Sequence, residues 1–280
     1  MSAQAKETNA RRFEAEHSII KTYRKELWGR FTKAVKLYDL IRDKDRVAVC
    51  ISGGKDSMLM AKLFQEMYKH GIHNFELTFL VMDPGYAPAN RALIEENARL
   101  LGIPVQIFET DIFGAVETIE DNPCYLCARM RRGNLYAKAK ELGCNKIALG
   151  HHYDDVIETI LMSMIHSGQV QTMMPKLHST NFEGMELIRP MYLIREEDVK
   201  RWAAHNGLSF LRCACKLTAD EADGIHEGKR LETKALIRKL KEANPYVEGN
   251  IFKSVENVHL ATVIAYKDAQ GERHHFLDDY

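Results

Sequence analysis

The stretch VAVCISGGKDS, residues 47–57, decides the fold of this chain. Residues 47–51 form an apolar run, as expected for a parallel strand that is covered on both faces. Gly53 and Gly54 then allow a tight turn, and the apolar positions that follow predict a helix. A helix that begins on such a turn presents free amide N–H groups, which favour an anion. The stretch therefore predicts a phosphate-binding cradle between a strand and a helix.

The cradle differs from two widespread nucleotide-binding turns. A Walker A loop needs four residues between its first glycine and the Gly-Lys pair, and a dinucleotide turn needs the pattern Gly-x-Gly-x-x-Gly. Neither pattern is present. Lys55 adds a positive charge, and Ser52 and Ser57 add hydroxyls. An ordinary glycine turn is the alternative interpretation, and the clear strand in front of the turn argues against it.

Strands and helices alternate along the chain. Further strands are predicted at 77–82, 105–108, 146–149 and 185–194, with helices between them. This alternation implies βαβ units. The predicted fold is therefore α/β, with a doubly wound, mostly parallel five-stranded sheet and helices on both faces.

The predicted α/β domain spans residues 43–215 and has additions at both ends. A flexible tail is expected over 1–17 and an amphipathic helix over 18–42, because apolar side chains recur there at helical spacing. After the domain, a helical segment is expected over 216–262 and a polar tail over 263–280.

Charge and cysteine content restrict the class of protein. Lysine plus arginine and aspartate plus glutamate both number 39, so nucleic-acid binding would have to use local patches. The sequence contains neither a signal-peptide pattern nor a long apolar run. We therefore expect a cytoplasmic protein that has no membrane contact and keeps its six cysteines reduced. Cys50 and Cys144 are expected to be buried structural residues.

A second motif, LGHHYDDVIET, occupies residues 149–159 at the end of a predicted strand. Ligands of open parallel sheets bind at the carboxyl ends of strands, which brings this motif close to the cradle. Asp154 and Glu158 are one helical turn apart, and carboxylates beside phosphates commonly hold Mg²⁺. The alternative is that Asp154 or Asp155 only caps the helix.

Four further cysteines form two short motifs. Cys124 and Cys127 make a C-x-x-C pair, and Cys213 and Cys215 make a C-x-C pair. A C-x-x-C pair is compatible with a redox dithiol, half of a zinc site or iron–sulfur ligation. All four thiols could also hold one structural zinc.

Together these motifs resemble the tRNA 2-thiocytidine synthetase branch of the PP-loop superfamily of ATP pyrophosphatases. The resemblance extends from about residue 20 to about residue 260. It rests on SGGKDS at 52–57, PCYLCARMRRGNLY at 123–136, LGHHYDDVIET at 149–159, MPKL at 174–177, IRP at 188–190 and the cysteines at 213–215.

The resemblance implies ATP-dependent thiolation of cytidine at tRNA position 32, in the anticodon loop. The cytidine would be adenylated, with release of pyrophosphate and then AMP, and Mg²⁺ would accompany ATP. The implied catalytic residues are Lys55, Asp56 and Asp155. The implied nucleotide-binding residues are Ser52, Gly53, Gly54, Lys55, Asp56, Ser57, Gly150, His151 and Asp154.

The resemblance also implies a [4Fe–4S] cluster on Cys124, Cys127 and Cys213. Three protein ligands leave one iron of such a cluster open to sulfur. The family usually has a second Pro-Cys-x-x-Cys where this chain has Arg-Cys-Ala-Cys at 212–215. Cys215 is close enough to replace Cys213, which leaves the third ligand open between them.

Implied partners are tRNA and a sulfur donor, either a cysteine desulfurase or sulfide, and a homodimer is left open. Arg129, Arg131 and Arg132 follow the C-x-x-C pair and could contact tRNA phosphates or simply cover a helix surface. Two other functions stay open: another PP-loop tRNA-modifying enzyme, of the lysidine or thiouridine type, and a non-catalytic, zinc-stabilised RNA- or nucleotide-binding module.

Overall fold

The computed structural model of the chain describes residues 3–117, 123–211 and 225–280, with the backbone alone for 3–6, 117, 123–124, 225–227 and 279. The helices are α1 Ala3–Ile20, α2 Gly29–Leu37, α3 Lys55–Lys69, α4 Pro88–Leu101, α5 Ile112–Glu117, α6 Pro123–Glu141, α7 Tyr153–Ser167, α8 Glu196–His205, α9 Ile225–Ala243 and α10 Val247–Ser254. The strands are β1 Arg46–Ile51, β2 Glu76–Asp83, β3 Val105–Glu109, β4 Lys146–Ala148, β5 Lys176–His178, β6 Glu186–Ile188, β7 Ala265–Lys267 and β8 Arg273–His275.

The central sheet has the strand order β3-β2-β1-β4-β6-β5. The first five strands of that order are parallel, and β5 pairs antiparallel with β6 at the edge. The mostly parallel α/β fold is therefore confirmed, but the sheet has six strands and not the predicted five. The added strand, Lys176–His178, is only three residues long, and the predicted strand at 185–194 shortens to Glu186–Ile188 because the chain turns at Pro190.

Successive residues of β1 pack on opposite faces of the sheet. Val47, Val49 and Ile51 join the core formed with α3, α4 and α8. Ala48 and Cys50 join a second core with α6. Burial on both faces explains why this strand is a continuous apolar run, and it identifies the fold as doubly wound.

A helix occupies most of the range 1–17, where a flexible tail is predicted. Helix α1 begins at Ala3, and Ala15 and Ile19 are buried in the main core. The predicted helix over 18–42 is in fact divided: α1 ends at Ile20, a π-helical turn follows at Arg24–Trp28, and α2 ends at Leu37. On its predicted apolar side Leu27, Phe31 and Ala34 are buried, and Ile20, Tyr23 and Tyr38 are partly buried against the main core.

The described residues divide into two compact units, the second of which contains residues 157–173 and 229–280. Within it, the buried carboxylate of Glu158 accepts a hydrogen bond of 2.7 Å from Arg230 Nε and lies 3.6 Å from Lys234 Nζ. Strands β7 and β8 form an antiparallel hairpin where a polar tail over 263–280 is predicted. No helix in the described ranges has the length and apolarity needed to cross a bilayer.

A buried ion pair fixes α1 against α3. Glu16 accepts hydrogen bonds of 2.6 Å from both Lys62 Nζ and Lys69 Nζ, and the Lys62 side chain is fully buried. Burial opposes ionisation of Glu16, but the two ammonium groups outweigh it and lower the pKa of Glu16 to about 2. Burial lowers the pKa of Lys62 to about 8, so both groups are ionised at pH 7.

We predict that Glu16→Gln destabilises the fold by about 3 kcal/mol at pH 7, because it leaves Lys62 without its counter-charge. A carboxyl with a lowered pKa stabilises the fold above its ordinary pKa of 4.5 and loses that contribution as the pH falls towards 2. The difference between wild type and variant should therefore shrink below pH 4.5. Urea unfolding at several pH values measures it. The exposed Glu14, changed to Gln on the same helix, is the control and should be neutral; equal effects of both variants would contradict the assignment.

Candidate active site

The cradle is the turn between β1 and α3. Gly53 has a φ of +83°, and a Cβ there would lie 2.6 Å from Ile94 Cγ1, so the position accepts only glycine. Ser57 Oγ donates to the carbonyl of Gly54 (2.9 Å) and accepts from the amide of Ser52 (3.1 Å). These bonds fix the turn so that the first amides of α3, which have no intrahelical acceptor, are available to an anion.

The second motif lies directly against this turn. Strand β4 is parallel to β1, and Gly150 follows it. A Cβ on Gly150 would lie 3.2 Å from the amide nitrogen of Ser57 and 3.3 Å from the carbonyl carbon of Asp56. Glycine at this position therefore lets the two backbones touch, and the two motifs are neighbours as the sequence predicts.

Lys55 is held between two carboxylates. Its Nζ lies 3.0 Å from Asp56 Oδ2 and 3.3 Å from Glu196 Oε1, at the start of α8. Burial favours the neutral amine, but Asp56 and Glu196 outweigh it and raise the pKa of Lys55. The ammonium is therefore charged and held between these two carboxylates.

Both carboxylate oxygens of Asp154 accept hydrogen bonds from the protein. Arg195 Nη2 donates to its Oδ1 (2.9 Å), and the amide of Glu196 donates to its Oδ2 (2.7 Å). Burial opposes ionisation of Asp154, but these donors outweigh it and lower its pKa. Asp155 instead lines the cavity described below, and its Oδ2 accepts from the amide of His152 (2.9 Å).

His152 links the second motif to the cradle. The residue is 4% exposed, and its Nδ1 accepts from the amide of Asp155 (3.3 Å). Its Nε2 lies 3.8 Å from Asp56 Oδ1. That oxygen is buried and has no hydrogen-bond partner among the described residues. It is thus an unused hard oxygen ligand beside the cradle.

The two motifs and α6 enclose a cavity of about 380 Å³, a volume within the range of ligand sites. Ser52, Asp56 and Gly150 line one part of it, and Arg131 and Arg132 of α6 line another. His151, a predicted nucleotide-binding residue, also lines it. Two larger grooves lie elsewhere on the surface and contain no residue of the motifs.

Tyr86 connects α6 with the cradle. Its hydroxyl lies 3.5 Å from the carbonyl of Ser52 and 3.5 Å from Arg131 Nη2. Burial raises the pKa of Tyr86, so the phenol is neutral and can donate at physiological pH.

The cysteines predicted as cluster ligands are only partly described. Cys124 and Cys127 are in the first turns of α6, where the Cys127 side chain packs on the cluster formed by Met82, Ile112 and Val116. Cys213 and Cys215 lie outside the described residues. The amide of Leu211 donates to the carbonyl of Gly53 (3.3 Å), which places the chain at the cradle two residues before Cys213.

Cys50 and Cys144 are buried, as predicted. Burial and the neighbouring Cys144 raise the pKa of Cys50 to about 12. Because the thiolate is the reactive form, this thiol is chemically inert at neutral pH.

Four site residues were missed from the sequence: Tyr86, His152, Arg195 and Glu196. Tyr86, Arg195 and Glu196 lie outside the sequence motifs described above, and only tertiary contacts bring them to the site. His152 is the exception, since its place between Gly150 and Asp154 was a usable signal.

Comparison with known proteins agrees with this geometry. Residues 25–215 match the PP-loop domain family. A tRNA-cytidine(32) 2-sulfurtransferase from Alkalilimnicola ehrlichii is 36% identical over 86% of this chain and 77% of its own length. One from Geotalea uraniireducens is 33% identical over 82% and 90%.

A solved structure, the U34-tRNA thiolase NcsA from Methanococcus maripaludis with its [4Fe-4S] cluster, is also similar. It matches with a TM-score of 0.65 and 25% identity, over 81% of this chain and 76% of that one. The chain belongs to the PP-loop family, in the group of the tRNA-cytidine(32) 2-sulfurtransferases.

We predict that Gly150→Ala weakens ATP binding about tenfold, because the added methyl group forces the second motif away from the first turn of α3 by a few tenths of an ångström. Calorimetry with a non-hydrolysable ATP analogue measures it. Gly249→Ala is the matched control, since no described atom lies within 4 Å of a Cβ there. Unchanged affinity of Gly150→Ala would show that the close approach does not shape the nucleotide site.

Proposed function

We propose that this chain is an ATP-dependent, iron–sulfur-dependent tRNA thiolase that converts cytidine 32 of the anticodon loop to 2-thiocytidine. The observation that carries the proposal is that three elements line one shared cavity. They are the phosphate cradle, the second motif with Gly150 and Asp155, and the helix that bears the C-x-x-C pair. The relatives support the same reaction, since those compared above are named tRNA-cytidine(32) 2-sulfurtransferase.

The cradle is suited to cleavage of ATP between the α- and β-phosphates. Attack of the cytidine O2 on the α-phosphorus expels pyrophosphate and turns a poor leaving group into an adenylate. The amides that begin α3 and the Lys55 ammonium stabilise the charge that develops on the phosphates. To reach them, Lys55 exchanges its contact with Glu196 for one with a phosphate oxygen.

Mg²⁺ fits two oxygens at this site. Asp56 Oδ1 is buried without a hydrogen-bond partner in the described ranges, and Asp155 lines the cavity. Both offer the hard oxygen ligands that Mg²⁺ prefers beside phosphate. Asp154 is also a predicted nucleotide-binding residue, but its carboxylate is paired with Arg195. We therefore propose that Asp154 positions the start of α8.

The α6 part of the cavity suits the RNA. Arg131 and Arg132 place two positive charges beside the space for the cytidine, where they can contact the phosphates that flank it. Arg131 Nη2 donates to the Tyr86 hydroxyl, which orients the guanidinium. A flipped-out cytidine would lie between these side chains and the cradle.

A [4Fe–4S] cluster fits the start of α6. We assign its ligands to Cys124, Cys127 and Cys213. Two observations support this assignment: Ala128, the residue after Cys127, lines the cavity, and Leu211, two residues before Cys213, is hydrogen-bonded to Gly53 of the cradle. When bound, the cluster supplies the sulfur that replaces AMP at C2. Three further points stay predictions. They are the sulfur donor, which is either a cysteine desulfurase or sulfide, the cytoplasmic location, and a homodimer.

The direct test is anaerobic turnover with ATP, Mg²⁺, sulfide and tRNA. We expect 2-thiocytidine in the digested tRNA, and AMP and pyrophosphate in equal amounts. Lys55→Ala should slow turnover about a hundredfold or more, since it removes one preorganised charge from the phosphates. Lys253→Ala, which removes an exposed lysine of α10, is the control. Release of ADP and phosphate, or a thiolated uridine instead of cytidine, would contradict the proposal.

The ligand assignment is tested with single Cys→Ala variants that are reconstituted anaerobically. The Cys124, Cys127 and Cys213 variants should lose the visible absorbance of the cluster and thiolation, while Cys215→Ala keeps both. Loss with Cys215→Ala and not with Cys213→Ala would move the third ligand to Cys215. Zinc in place of iron and sulfide in the wild-type protein would instead favour a structural metal.

A further inference from the structure

An exposed aromatic side chain lies near the start of α6. Tyr125 is 68% exposed, and no ring of the residues that the structure describes packs against it. Helix α6 leads into the parallel strand β4, so it starts at the sheet edge where the strands end and where the cradle lies. A single exposed tyrosine is ordinary on a protein surface, and the meaning of this one therefore depends on its neighbours.

Tyr125 shares one face of α6 with residues of the cavity. Tyr125, Ala128, Arg129 and Arg132 have the spacing i, i+3, i+4 and i+7, which places them on one side of a helix. All four are exposed. Ala128 and Arg132 line the cavity, and Tyr125 continues their row outwards by about 4.5 Å, the rise of three residues. The aromatic ring is thus next to the cavity and outside it.

The packing of α6 does not depend on Tyr125. Leu126 and Met130, which are four residues apart, pack on the cluster formed by Met82, Ile112 and Val116. These contacts hold the start of the helix against the sheet. Because most of its surface stays in water, Tyr125 contributes little burial to the stability of the fold.

The charges on this face indicate the kind of partner. Arg129 and Arg132 are exposed, and neither has an ion-pair partner in the part of the chain that the structure describes. An aromatic ring beside unpaired guanidinium groups suits unpaired RNA, since a base stacks on the ring while arginines contact the phosphates. A duplex offers no free base face, so the ring favours a single-stranded loop.

We propose that Tyr125 stacks on an unpaired base of the tRNA anticodon loop, next to the cytidine that enters the cavity. The proposal rests on the proposed function, which brings position 32 into the cavity. A base that leaves its stack for an active site takes a stacking surface away from its neighbour, which costs free energy. The ring of Tyr125, beside the cavity, replaces that surface and so favours the extruded state of the cytidine.

Tyr125→Leu removes the ring and keeps an apolar side chain. Its affinity for tRNA should fall about tenfold, the usual contribution of one stacked base, while Tyr125→Phe keeps the affinity because the ring and not the hydroxyl stacks. The salt dependence of binding should not change, since no phosphate contact is lost. Affinity for a non-hydrolysable ATP analogue should also be unchanged.

Tyr68→Leu is the matched control. Tyr68 is 59% exposed near the end of α3, about 20 Å along that helix from Lys55. Its substitution removes an equally exposed ring far from the cavity and should leave tRNA affinity unchanged.

The experiment measures fluorescence anisotropy of an anticodon stem-loop with the full chain, reconstituted anaerobically. A single abasic nucleotide is placed in turn at each unpaired loop position other than 32. At one position the missing base should weaken binding of the wild type about tenfold and leave binding of Tyr125→Leu unchanged, which is the signature of a direct pair in a double-mutant cycle. A loss with Tyr125→Leu that persists at every abasic position would overturn the proposal.

Two other results would also overturn it. One is equal affinity of wild type and Tyr125→Leu for the intact loop. The other is a weaker salt dependence of Tyr125→Leu, which would show that the tyrosine only holds the arginines in place.

Should Tyr125→Leu lose the absorbance of the cluster, photocrosslinking of the wild-type chain decides. A 5-iodouridine at the loop position where the wild type is sensitive should crosslink to Tyr125, and a crosslink to another residue would contradict the stacking. A wild-type chain that binds the loop through Tyr125 and does not thiolate it would refute the proposed function alone. Thiolation by a wild type that binds no better than Tyr125→Leu would refute the stacking alone.

Discussion

The contact between the backbone of Gly150 and the first turn of α3 is the constraint on which the site depends. Parallel pairing of β1 with β4 brings both motifs to one edge of the sheet, but pairing alone leaves side chains between them. The absence of a Cβ at Gly150 removes that separation. Asp155 and His152 thereby come within reach of the cradle, and the open amides of α3 face the same cavity as the second motif.

Within this frame the charges of the site compensate one another. The chain as a whole has no net charge, yet cations and carboxylates alternate around the cradle in the pairs Lys55–Glu196 and Asp154–Arg195. Such pairing keeps the side chains of Asp154 and Arg195 oriented before any ligand arrives. It also means that a phosphate must compete with Glu196 for Lys55, which favours a highly charged ligand over a weakly charged one.

The elements that could be predicted from the sequence are those whose signal is local. The buried strands are continuous apolar runs, and Gly53 needs a positive φ that only glycine supplies without strain. Strand β5 could not be predicted, because three residues at a sheet edge carry no periodic pattern. Helix α1 was missed because its residues are mostly polar, and the contact of Glu16 with Lys62 that holds it arises only in the tertiary structure. Glu196 likewise acquires its role from Lys55, which is far away in the chain.

The cavity has two parts, the cradle with the second motif on one side and α6 on the other. This division indicates which residues can determine the specificity for the acceptor. Backbone amides at a helix start recognise a phosphate and cannot distinguish one acceptor molecule from another. Fold and cradle therefore do not define the substrate. Discrimination between acceptors has to come from side chains on the other part, and the described candidates there are Arg131, Arg132 and Tyr86. The Tyr86 hydroxyl contacts both Arg131 and the carbonyl of Ser52 in the cradle, so under the proposed function one tyrosine would connect the acceptor side of the cavity with the nucleotide side.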